Sequence, residues 1–396
     1  MSDITLLAGC HPDTMNSREL FLPFDKTVLS FLENVSDELM KNPLYRAYPN
    51  LVALGFWLRC SSLSNQKDSL ASAPVGCGYF PAGLVFHLAP SNVDNLFIYS
   101  WIISLLCGNA NIVRVSSKAS IERDLLLSII KSLFENGEYE AIALRNAFIS
   151  YPHDDDITRR LFANIDRRVL WGSDETVSHI RSIKTPLNCQ DVIFSDRKSA
   201  AVFSKKYVNS IETVSSLIEK FYRDAYGFEQ MACSSPKFVI WIDDHEGDSA
   251  RAKFWEAFAG YVAERHPELS TAAVMEKIVA MQSFALSGDV RSRSLPGNLL
   301  QVVQADAETL SDTFIHPGGG LFIEVQVKDL STINWATLNY QTLVCEGVDR
   351  QVFADLAKMY ARPVADRIVP VGQALNFEAV WDGVNLFERL SRVVAL

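Results

Sequence analysis

The sequence predicts an α/β protein built on parallel sheets, and two observations support this prediction. Short apolar runs alternate with segments of helical composition, as strands and helices do in right-handed crossover units. The chain also has 396 residues, which is more than one hydrophobic core usually supports, so two domains are expected.

The alternation continues along much of the chain. The predicted elements are a strand at Ala82–Ala89, a buried helix at Leu96–Leu106 closed by Gly108-Asn109, a strand at Asn111–Val115 and a helix through Asn136, then a strand at Arg168–Trp171, helices at Thr176–Lys184 and Ile211–Tyr226, and strands at Phe238–Ile242 and Leu321–Val327. The segment from Ser287 to about Pro296 is predicted as an exposed loop. The run His316–Gly320 is interpreted as a flexible loop, the alternative being a phosphate cradle or a substrate contact.

Composition and charge narrow the class of protein. A formal net charge of −10 leaves no basic stripe for nucleic acid and suits a cytoplasmic enzyme. The first residues lack the basic start and apolar core of a signal peptide, and the most apolar window, Leu96–Cys107, is too short to span a bilayer. The seven cysteines are scattered without a Cys-x-x-Cys or a His pair at metal spacing, so we expect neither disulfides nor a zinc site.

One cysteine stands in a distinctive setting. Cys233 lies in the run Gln230–Lys237, among small and polar residues, between the predicted helix at Ile211–Tyr226 and the predicted strand at Phe238–Ile242. A tight loop of small residues gives a substrate access to the thiol, which a nucleophilic cysteine requires. Taken alone, this signal is weaker than the structural alternative, because most cysteines are inert buried residues.

Four motifs in one order strengthen the catalytic interpretation. They are Pro90-Ser91-Asn92, Gly108-Asn109 with Arg114, Gly172-Ser173-Asp174-Glu175, and the Cys233 loop. This series resembles the aldehyde dehydrogenase superfamily. Within it, Cys233-Ser234-Ser235-Pro236, the pair Gln341-Thr342 and the C-terminal Asp382-Gly383 are similar to the LuxC-like fatty acyl-CoA reductases. The resemblance runs from about Tyr79 to the C-terminus.

The resemblance implies a fold and a set of domains. We expect an aldehyde-dehydrogenase-like architecture with a Rossmann-type cofactor domain at residues 1–198, of which about the first 75 are helical. An α/β catalytic domain would follow at residues 199–370. Residues 371–396 would pack back on both.

The resemblance also implies roles for particular residues. Cys233 would be the nucleophile that takes the acyl group as a thioester. The side chain of Asn92 and the backbone N–H of Cys233 would stabilise the oxyanion. Gly172 and Ser173 would lie at the cofactor pyrophosphate, where a helix would begin.

A second group of residues concerns the adenosine end of the cofactor. Arg114 stands where relatives usually have Lys, and Ser117 stands where NAD-preferring members often have Glu. Without that carboxylate, and with Ser116 and Lys118 beside it, the resemblance implies NADPH.

Phe194 is the third informative departure from the superfamily pattern. The segment Ile193–Ser199 resembles the superfamily's Leu-Glu-Leu-Gly-Gly-Lys-Ser, and Phe194 falls at the water-activating Glu. An acyl-enzyme without that base would resist hydrolysis.

These inferences predict NADPH-dependent reduction of an acyl thioester to an aldehyde. The acyl donor would be acyl-CoA or an acyl-protein, with an acyl-protein ligase as a partner, and the enzyme would be a homo-oligomer. Two alternatives stay open. One is aldehyde oxidation by an acylating or hydrolytic dehydrogenase, and the other is a catalytically silent subunit that docks such a ligase. The acyl chain and the residue that holds the nicotinamide ribose are not defined by the sequence.

Overall fold

The computed structural model describes residues 4–70, 75–89, 96–242, 249–265, 268–269, 271–287, 291–294, 298–311 and 316–396. The chain divides into two compact units. The first comprises residues 1–196 with 378–396, and the second comprises residues 197–377.

Strands and helices alternate in both units. The strands are β1 (Thr5–Gly9), β2 (Cys77–Pro81), β3 (Leu84–Leu88), β4 (Ala110–Arg114), β5 (Asn146–Ser150), β6 (Arg167–Trp171), β7 (Gln190–Phe194), β8 (Lys198–Ser204), β9 (Phe238–Ile242), β10 (Arg291–Ser294), β11 (Gln301–Ala305), β12 (Leu321–Val327), β13 (Tyr340–Glu346), β14 (Ala365–Pro370), β15 (Val380–Trp381), β16 (Val384–Asn385) and β17 (Ser391–Ala395). The helices are α1 (Lys26–Lys41), α2 (Pro49–Trp57), α3 (Cys60–Leu70), α4 (Leu96–Leu106), α5 (Ile121–Glu135), α6 (Glu140–Ala143), α7 (Asp155–Leu161), α8 (Asp174–Ser182), α9 (Lys205–Ser210), α10 (Ser215–Tyr226), α11 (Ser249–Arg265), α12 (Thr271–Ser287), α13 (Gln351–Tyr360) and α14 (Leu386–Arg389). Short 3-10 helices lie at Pro12–Thr14, Pro43–Ala47, Phe162–Asn164, Gly227–Gln230, Ala307–Ser311, Leu330–Thr332 and Trp335–Thr337.

The sheet of the first unit has a Rossmann-type strand order. It runs β1-β5-β4-β3-β6-β7, with β3 to β7 mutually parallel and β1 antiparallel to β5. From β3 the chain adds β4 and β5 on one side and then returns to add β6 and β7 on the other. The strand order therefore reverses beside β3, and in open α/β sheets ligands bind outside the carboxyl ends of the strands at such a point.

A buried polar network holds the central strands of this sheet. The ring nitrogens of His87 on β3 lie 3.1 Å from Ser100 Oγ and 3.1 Å from Asn111 Oδ1 on β4. Asn111 donates in turn to Asn146 on β5 over 3.0 Å, and the indole of Trp101 donates to the same Asn146 oxygen. Burial lowers the pKa of His87 to about 4, so the imidazole is neutral at physiological pH.

Residues near both ends of the chain belong to this unit. The N-terminal region contains α1, α2 and α3, and it also supplies β1, a strand that the sequence did not predict. Near the other end, β17 pairs with β2, and the side chain of Asn109 donates to the carbonyl of Leu390 over 2.8 Å.

The predicted buried helix is confirmed. The residues of α4 from Trp101 to Leu106 are all buried, and Gly108 follows with a φ of 88°. None of the helices in the described ranges is long and apolar enough to cross a membrane.

The sheet of the second unit is parallel except at one edge. Its order is β10-β11-β12-β9-β8-β13-β14, and only β10 runs antiparallel to its neighbour. The prediction of an exposed loop from Ser287 to Pro296 was wrong at Arg291–Ser294, which form β10. A polar strand is tolerated there because it lies at the edge of the sheet.

A buried carboxylate ties this sheet to a helix on one face. Glu324 on β12 is 5% exposed and accepts hydrogen bonds from Trp241 Nε1 (3.1 Å), Trp255 Nε1 (2.8 Å) and Arg251. Since all these partners belong to the core of the unit, we assign Glu324 a structural role.

A second buried carboxylate predicts how stability depends on pH. Asp224 on α10 is 1% exposed and accepts the backbone N–H groups of Gly372 and Ala374, and burial raises its pKa from 3.8 to about 7. Between these two values the folded chain holds a proton that the unfolded chain releases. The free energy of unfolding should therefore fall as pH rises from about 4 to about 7, by at most about 1.4 kcal/mol per pH unit.

Denaturant titrations of unmodified and Asp224→Asn protein across this range would measure the effect. The substitution should flatten the pH dependence, whereas Asp355→Asn, at an exposed aspartate on α13, should leave it in place. An equal slope in the unmodified and Asp224→Asn proteins would contradict the assignment.

Candidate functional site

Cys233 lies where the sequence placed it, on a short loop between α10 and β9. Its side chain is half-buried and it forms no disulfide. The hydroxyl of Ser199 on β8 donates to the backbone carbonyl of Cys233 over 2.7 Å and accepts the N–H of Thr342 on β13 over 3.1 Å. One hydroxyl thus joins the thiol loop to two strands of the sheet.

The backbone just before this loop is left-handed. Phe228, Glu229 and Gln230 have φ values of 55°, 52° and 64°. For residues with a β-carbon this conformation costs about 1 kcal/mol or more each, and it persists only where neighbouring structure enforces it. We call these three residues the left-handed run.

Gln230 is the residue that enforces it. Its side chain is fully buried, and its Nε2 donates to the carbonyls of Pro236 (3.0 Å) and Leu321 (2.9 Å). Its Oε1 accepts the N–H of Gly320 over 3.0 Å. Because Gln230 and Pro236 lie on either side of Cys233, a single amide closes the thiol loop and fastens it to β12.

A second left-handed segment supports the first. Gly318, Gly319 and Gly320, here called the glycine turn, have φ values of 70°, 61° and 78° and are buried. A β-carbon at Gly318 would lie 2.8 Å from the carbonyl oxygen of Glu229, and one at Gly320 would lie 2.1 Å from that of Leu299. The segment is a loop that leads into β12, as predicted, and its three positive φ values favour glycine.

The histidine that opens the segment His316–Gly320 is neutral. Its Nδ1 accepts the N–H of Gly318 over 3.1 Å, which places the ring proton on Nε2. Burial and the positive charges of Lys237 and Lys198 lower the pKa of His316 well below its usual value. Two lysine charges therefore lie near the segment that supports the thiol loop.

Two buried hydroxyls near the thiol are candidates for substrate contact. Ser235 Oγ and Thr342 Oγ1 have no hydrogen-bond partner among the described residues. Thr342 belongs to the predicted Gln-Thr pair, and its N–H shares Ser199 with Cys233. Buried polar atoms are rarely left unsatisfied outside functional sites. Asn92, the predicted oxyanion donor, lies outside the described residues.

The predicted cofactor residues of the first unit gather at one edge of its sheet. Leu88 on β3 pairs with Arg114 on β4 and with Leu170 on β6, so the carboxyl ends of these parallel strands lie level. Arg114 is buried, with its guanidinium 4.2 Å from the centroid of the Tyr151 ring. Lys118, by contrast, is exposed at this edge.

The loop that carries Lys118 is fixed by a residue that the sequence analysis missed. Arg123, near the start of α5, is 8% exposed and donates to the carbonyls of Ser116 (2.7 Å) and Lys118. The N–H of Lys118 also donates to Ser116 Oγ over 3.2 Å. Ser117 and Lys118 are thereby exposed on a backbone that is held in place. In the sequence, the only indication of this role is an arginine three residues after Ser120, the residue that caps α5.

Ser173 caps α8 at the end of β6. Its Oγ accepts the N–H of Thr176 over 3.3 Å, and a β-carbon at Gly172 would lie 3.2 Å from Thr176 Cγ2. Asp196 Oδ2 accepts the N–H of Asp174 over 3.3 Å, so a carboxylate of the chain already lies at this helix terminus. A pyrophosphate contact at Ser173 stays a prediction.

The residues at this edge fit a dinucleotide. The strand order reverses beside β3, and the exposed pair Ser117-Lys118 follows β4 with its backbone fixed by Arg123. Among the described residues, no cluster of His, Cys, Asp and Glu could hold a metal ion.

Phe194 offers no proton acceptor. Its side chain is 3% exposed and stacks on Trp171 at 3.9 Å between ring centroids, with an angle of 18° between the planes. The residue that the resemblance aligns with a water-activating carboxylate is therefore part of an aromatic pair at the ends of β6 and β7.

The class of protein follows from these two units. The chain is similar to solved aldehyde dehydrogenases, including aldehyde dehydrogenase 21 from Physcomitrella patens, solved with the reaction product succinate (11% identity, 93% of this chain and 85% of that chain, TM-score 0.67). A second is an oxidoreductase from Marinobacter aquaeolei (13% identity, 96% of this chain and 88% of that chain, TM-score 0.68). A third is methylmalonate-semialdehyde dehydrogenase from Oceanimonas doudoroffii (10% identity, 97% of this chain and 86% of that chain, TM-score 0.66). These likenesses confirm the aldehyde-dehydrogenase-like fold.

The family is defined by sequence. The model of the LuxC acyl-CoA reductase family matches residues 64–287, more than half of the chain, and the chain belongs to that family. The predicted resemblance is thereby confirmed, and with it the class of oxidoreductases that use a nicotinamide cofactor. No curated protein matches the sequence.

The amide of Gln230 predicts how substitution affects the site. Gln230→Ala leaves one N–H and two carbonyls without their buried partner, so the free energy of unfolding should fall by about 2–4 kcal/mol. If Cys233 takes the acyl group of acyl-CoA, as the family resemblance implies, that reaction, followed by intact mass, should slow by at least about tenfold as the left-handed run relaxes.

Gln326→Ala is the matched control, because Gln326 lies on the same strand β12 as Leu321, while among the described residues its side chain accepts only from Lys205, over 2.7 Å. It should leave the rate of acylation unchanged. Equal acylation rates for the two variants would refute the role of Gln230.

Proposed function

We propose that this protein reduces an acyl thioester to an aldehyde through an acyl-enzyme on Cys233, with NADPH as the cofactor. The observation that carries the proposal is the thiol loop itself. In a chain of the LuxC acyl-CoA reductase family, Cys233 follows a left-handed backbone run that a fully buried glutamine fixes. Strain of this kind concentrates at catalytic sites, and a loop held at both ends presents the thiol in one orientation.

The chain's residues supply the acylation half of the reaction. The thiolate of Cys233 attacks the thioester carbonyl, a carbon–sulfur bond forms, and the donor thiol leaves when the tetrahedral species collapses. The backbone N–H of Cys233 and the side chain of Asn92 would donate to the oxyanion, as the family resemblance implies. The bond from Ser199 to the carbonyl of Cys233 fixes the peptide plane next to the reacting sulfur.

The cofactor would bind at the carboxyl edge of the first sheet. When bound, a nicotinamide supplies the hydride that converts an acyl group to the aldehyde level. Ser117 and Lys118 would hold a ribose 2′-phosphate, since Lys118 is exposed, cationic and carried on a loop fixed by Arg123. This feature favours NADPH over NADH.

Phe194 favours reduction over hydrolysis. A thioester acyl-enzyme is released as acid only if a base activates water, and the aromatic pair of Phe194 and Trp171 provides none. The acyl donor would be acyl-CoA or an acyl group delivered by an acyl-protein ligase.

The nucleophile can be tested without cofactor. Acyl-CoA alone should leave an acyl adduct on Cys233 that hydroxylamine removes, because thioester exchange needs no hydride; peptide mass analysis would locate it. Cys107 and Cys345 are internal controls, since burial raises their pKa values to about 12 and about 11. An adduct that persists in Cys233→Ala protein would overturn the assignment.

Cofactor preference can be tested by binding titrations. NADPH should bind at least about tenfold more tightly than NADH, a difference of about 1.4 kcal/mol. Lys118→Glu should shrink or reverse this preference and leave acylation of Cys233 intact. Lys131→Glu, at an exposed lysine on α5, should change neither. Equal affinities of the unmodified protein for the two cofactors would show that Lys118 does not contact a 2′-phosphate.

The fate of the acyl-enzyme tests the role of Phe194. Without NADPH, free acid should appear slowly from acyl-CoA, and with NADPH the main product should be aldehyde; chromatography of both products measures the partition. If free acid forms as fast as aldehyde, another residue activates water. The exposed carboxylates of Asp196 and Glu229 would then be the first to substitute.

A further inference from the structure

A buried lysine contacts the glycine turn from α12. Lys277 is 1% exposed, and its Nζ donates to the carbonyl of Gly319 over 2.7 Å and to the carbonyl of Asn298. Burial lowers its pKa to about 8. An ammonium group removed from water is costly, so it persists here because the two carbonyls replace part of its hydration.

The contacts of Gly319 lead from this lysine toward the thiol. The carbonyl of Gly319 accepts from Lys277, and its N–H donates to the carbonyl of Glu229 over 2.9 Å. Glu229 is the middle residue of the left-handed run, and the neighbouring Gly320 donates to Gln230. The side chain of Lys277 is thus two hydrogen bonds away from the backbone that leads into the Cys233 loop.

We propose that Lys277 is a positioning residue for Cys233, holding the glycine turn against the left-handed run so that the thiol meets the substrate in one orientation. The proposal rests on Cys233 being the nucleophile of the proposed function. Lys277 acts through Gly319 and touches neither the substrate nor the thiol in this role.

A second lysine that donates to two backbone carbonyls provides a matched control for Lys277. Lys253 on α11 donates to the carbonyls of Ile211 (2.7 Å) and Val208 (3.4 Å), with neither of these carbonyls in the glycine turn or the thiol loop. Lys277→Met and Lys253→Met therefore remove the same chemical group from two pairs of carbonyls.

The first measurement is amide hydrogen exchange, which does not depend on any catalytic activity. Lys277→Met should raise the exchange rates of peptides that cover residues 226–236 and 316–321 by at least about tenfold. Lys253→Met should leave those peptides unchanged. If Lys277→Met does not fold, Lys277→Gln, which keeps an N–H donor without the charge, is measured in the same way.

The second measurement is the rate of Cys233 acylation as a function of acyl-CoA concentration. Lys277→Met should lower the maximal rate by at least about tenfold and leave the half-saturating concentration unchanged, because orientation is lost and binding is not. Lys277→Arg, which keeps the charge and the donors, should restore part of the rate.

Unchanged exchange in Lys277→Met, or exchange equal to that of Lys253→Met in both peptides, would overturn the proposal. If the exchange rates rise but the maximal acylation rate stays at the unmodified value, Lys277 supports the fold only and the proposal also fails. If the unmodified protein forms no adduct on Cys233, the proposed function fails, and the exchange measurement still decides whether Lys277 holds the turn.

Discussion

The side-chain amide of Gln230 is the interaction on which the site in the second unit depends. It accepts from one left-handed segment and donates to the far end of the thiol loop, so neither segment can change its backbone without breaking a buried hydrogen bond. A left-handed run of three residues with β-carbons is unfavourable by itself. Buried hydrogen bonds made by the amide, the glycine turn and Lys277 together hold it in this conformation.

The parallel sheets explain why these segments meet. In the second unit, Ser199 is the second residue of β8, the thiol loop leads into β9 and the glycine turn leads into β12, so all of them lie at the amino ends of neighbouring parallel strands. In the first unit, Ser117, Lys118 and Ser173 follow β4 and β6, at the carboxyl ends. Each unit therefore brings residues distant in sequence to one edge of its sheet. For the second unit those residues fit acyl transfer, and for the first they fit a nucleotide.

Much of this arrangement could be predicted from the sequence, because apolar runs and turn residues are local signals. The strands at Phe238–Ile242 and Leu321–Val327 and the buried helix at Leu96–Leu106 follow the predicted bounds. What was not predicted depends on partners far along the chain. Arg123 and Lys277 are ordinary helix residues until the carbonyls that they contact are known, and the glycines before β12 differ from a flexible linker only once Gln230 is placed beside them. The edge strand Arg291–Ser294 is polar and has no apolar pattern to reveal it.

The left-handed run can be tested most directly by changing its central residue, whose side chain is exposed. In a left-handed conformation glycine escapes the steric cost that alanine bears, so Glu229→Gly protein should be more stable than Glu229→Ala protein by about 1 kcal/mol. Denaturant titrations of the two variants measure this difference. If Glu229→Gly is instead the less stable of the two, as in an ordinary helix or strand, the backbone before Cys233 is not held in the conformation on which this account of the thiol depends.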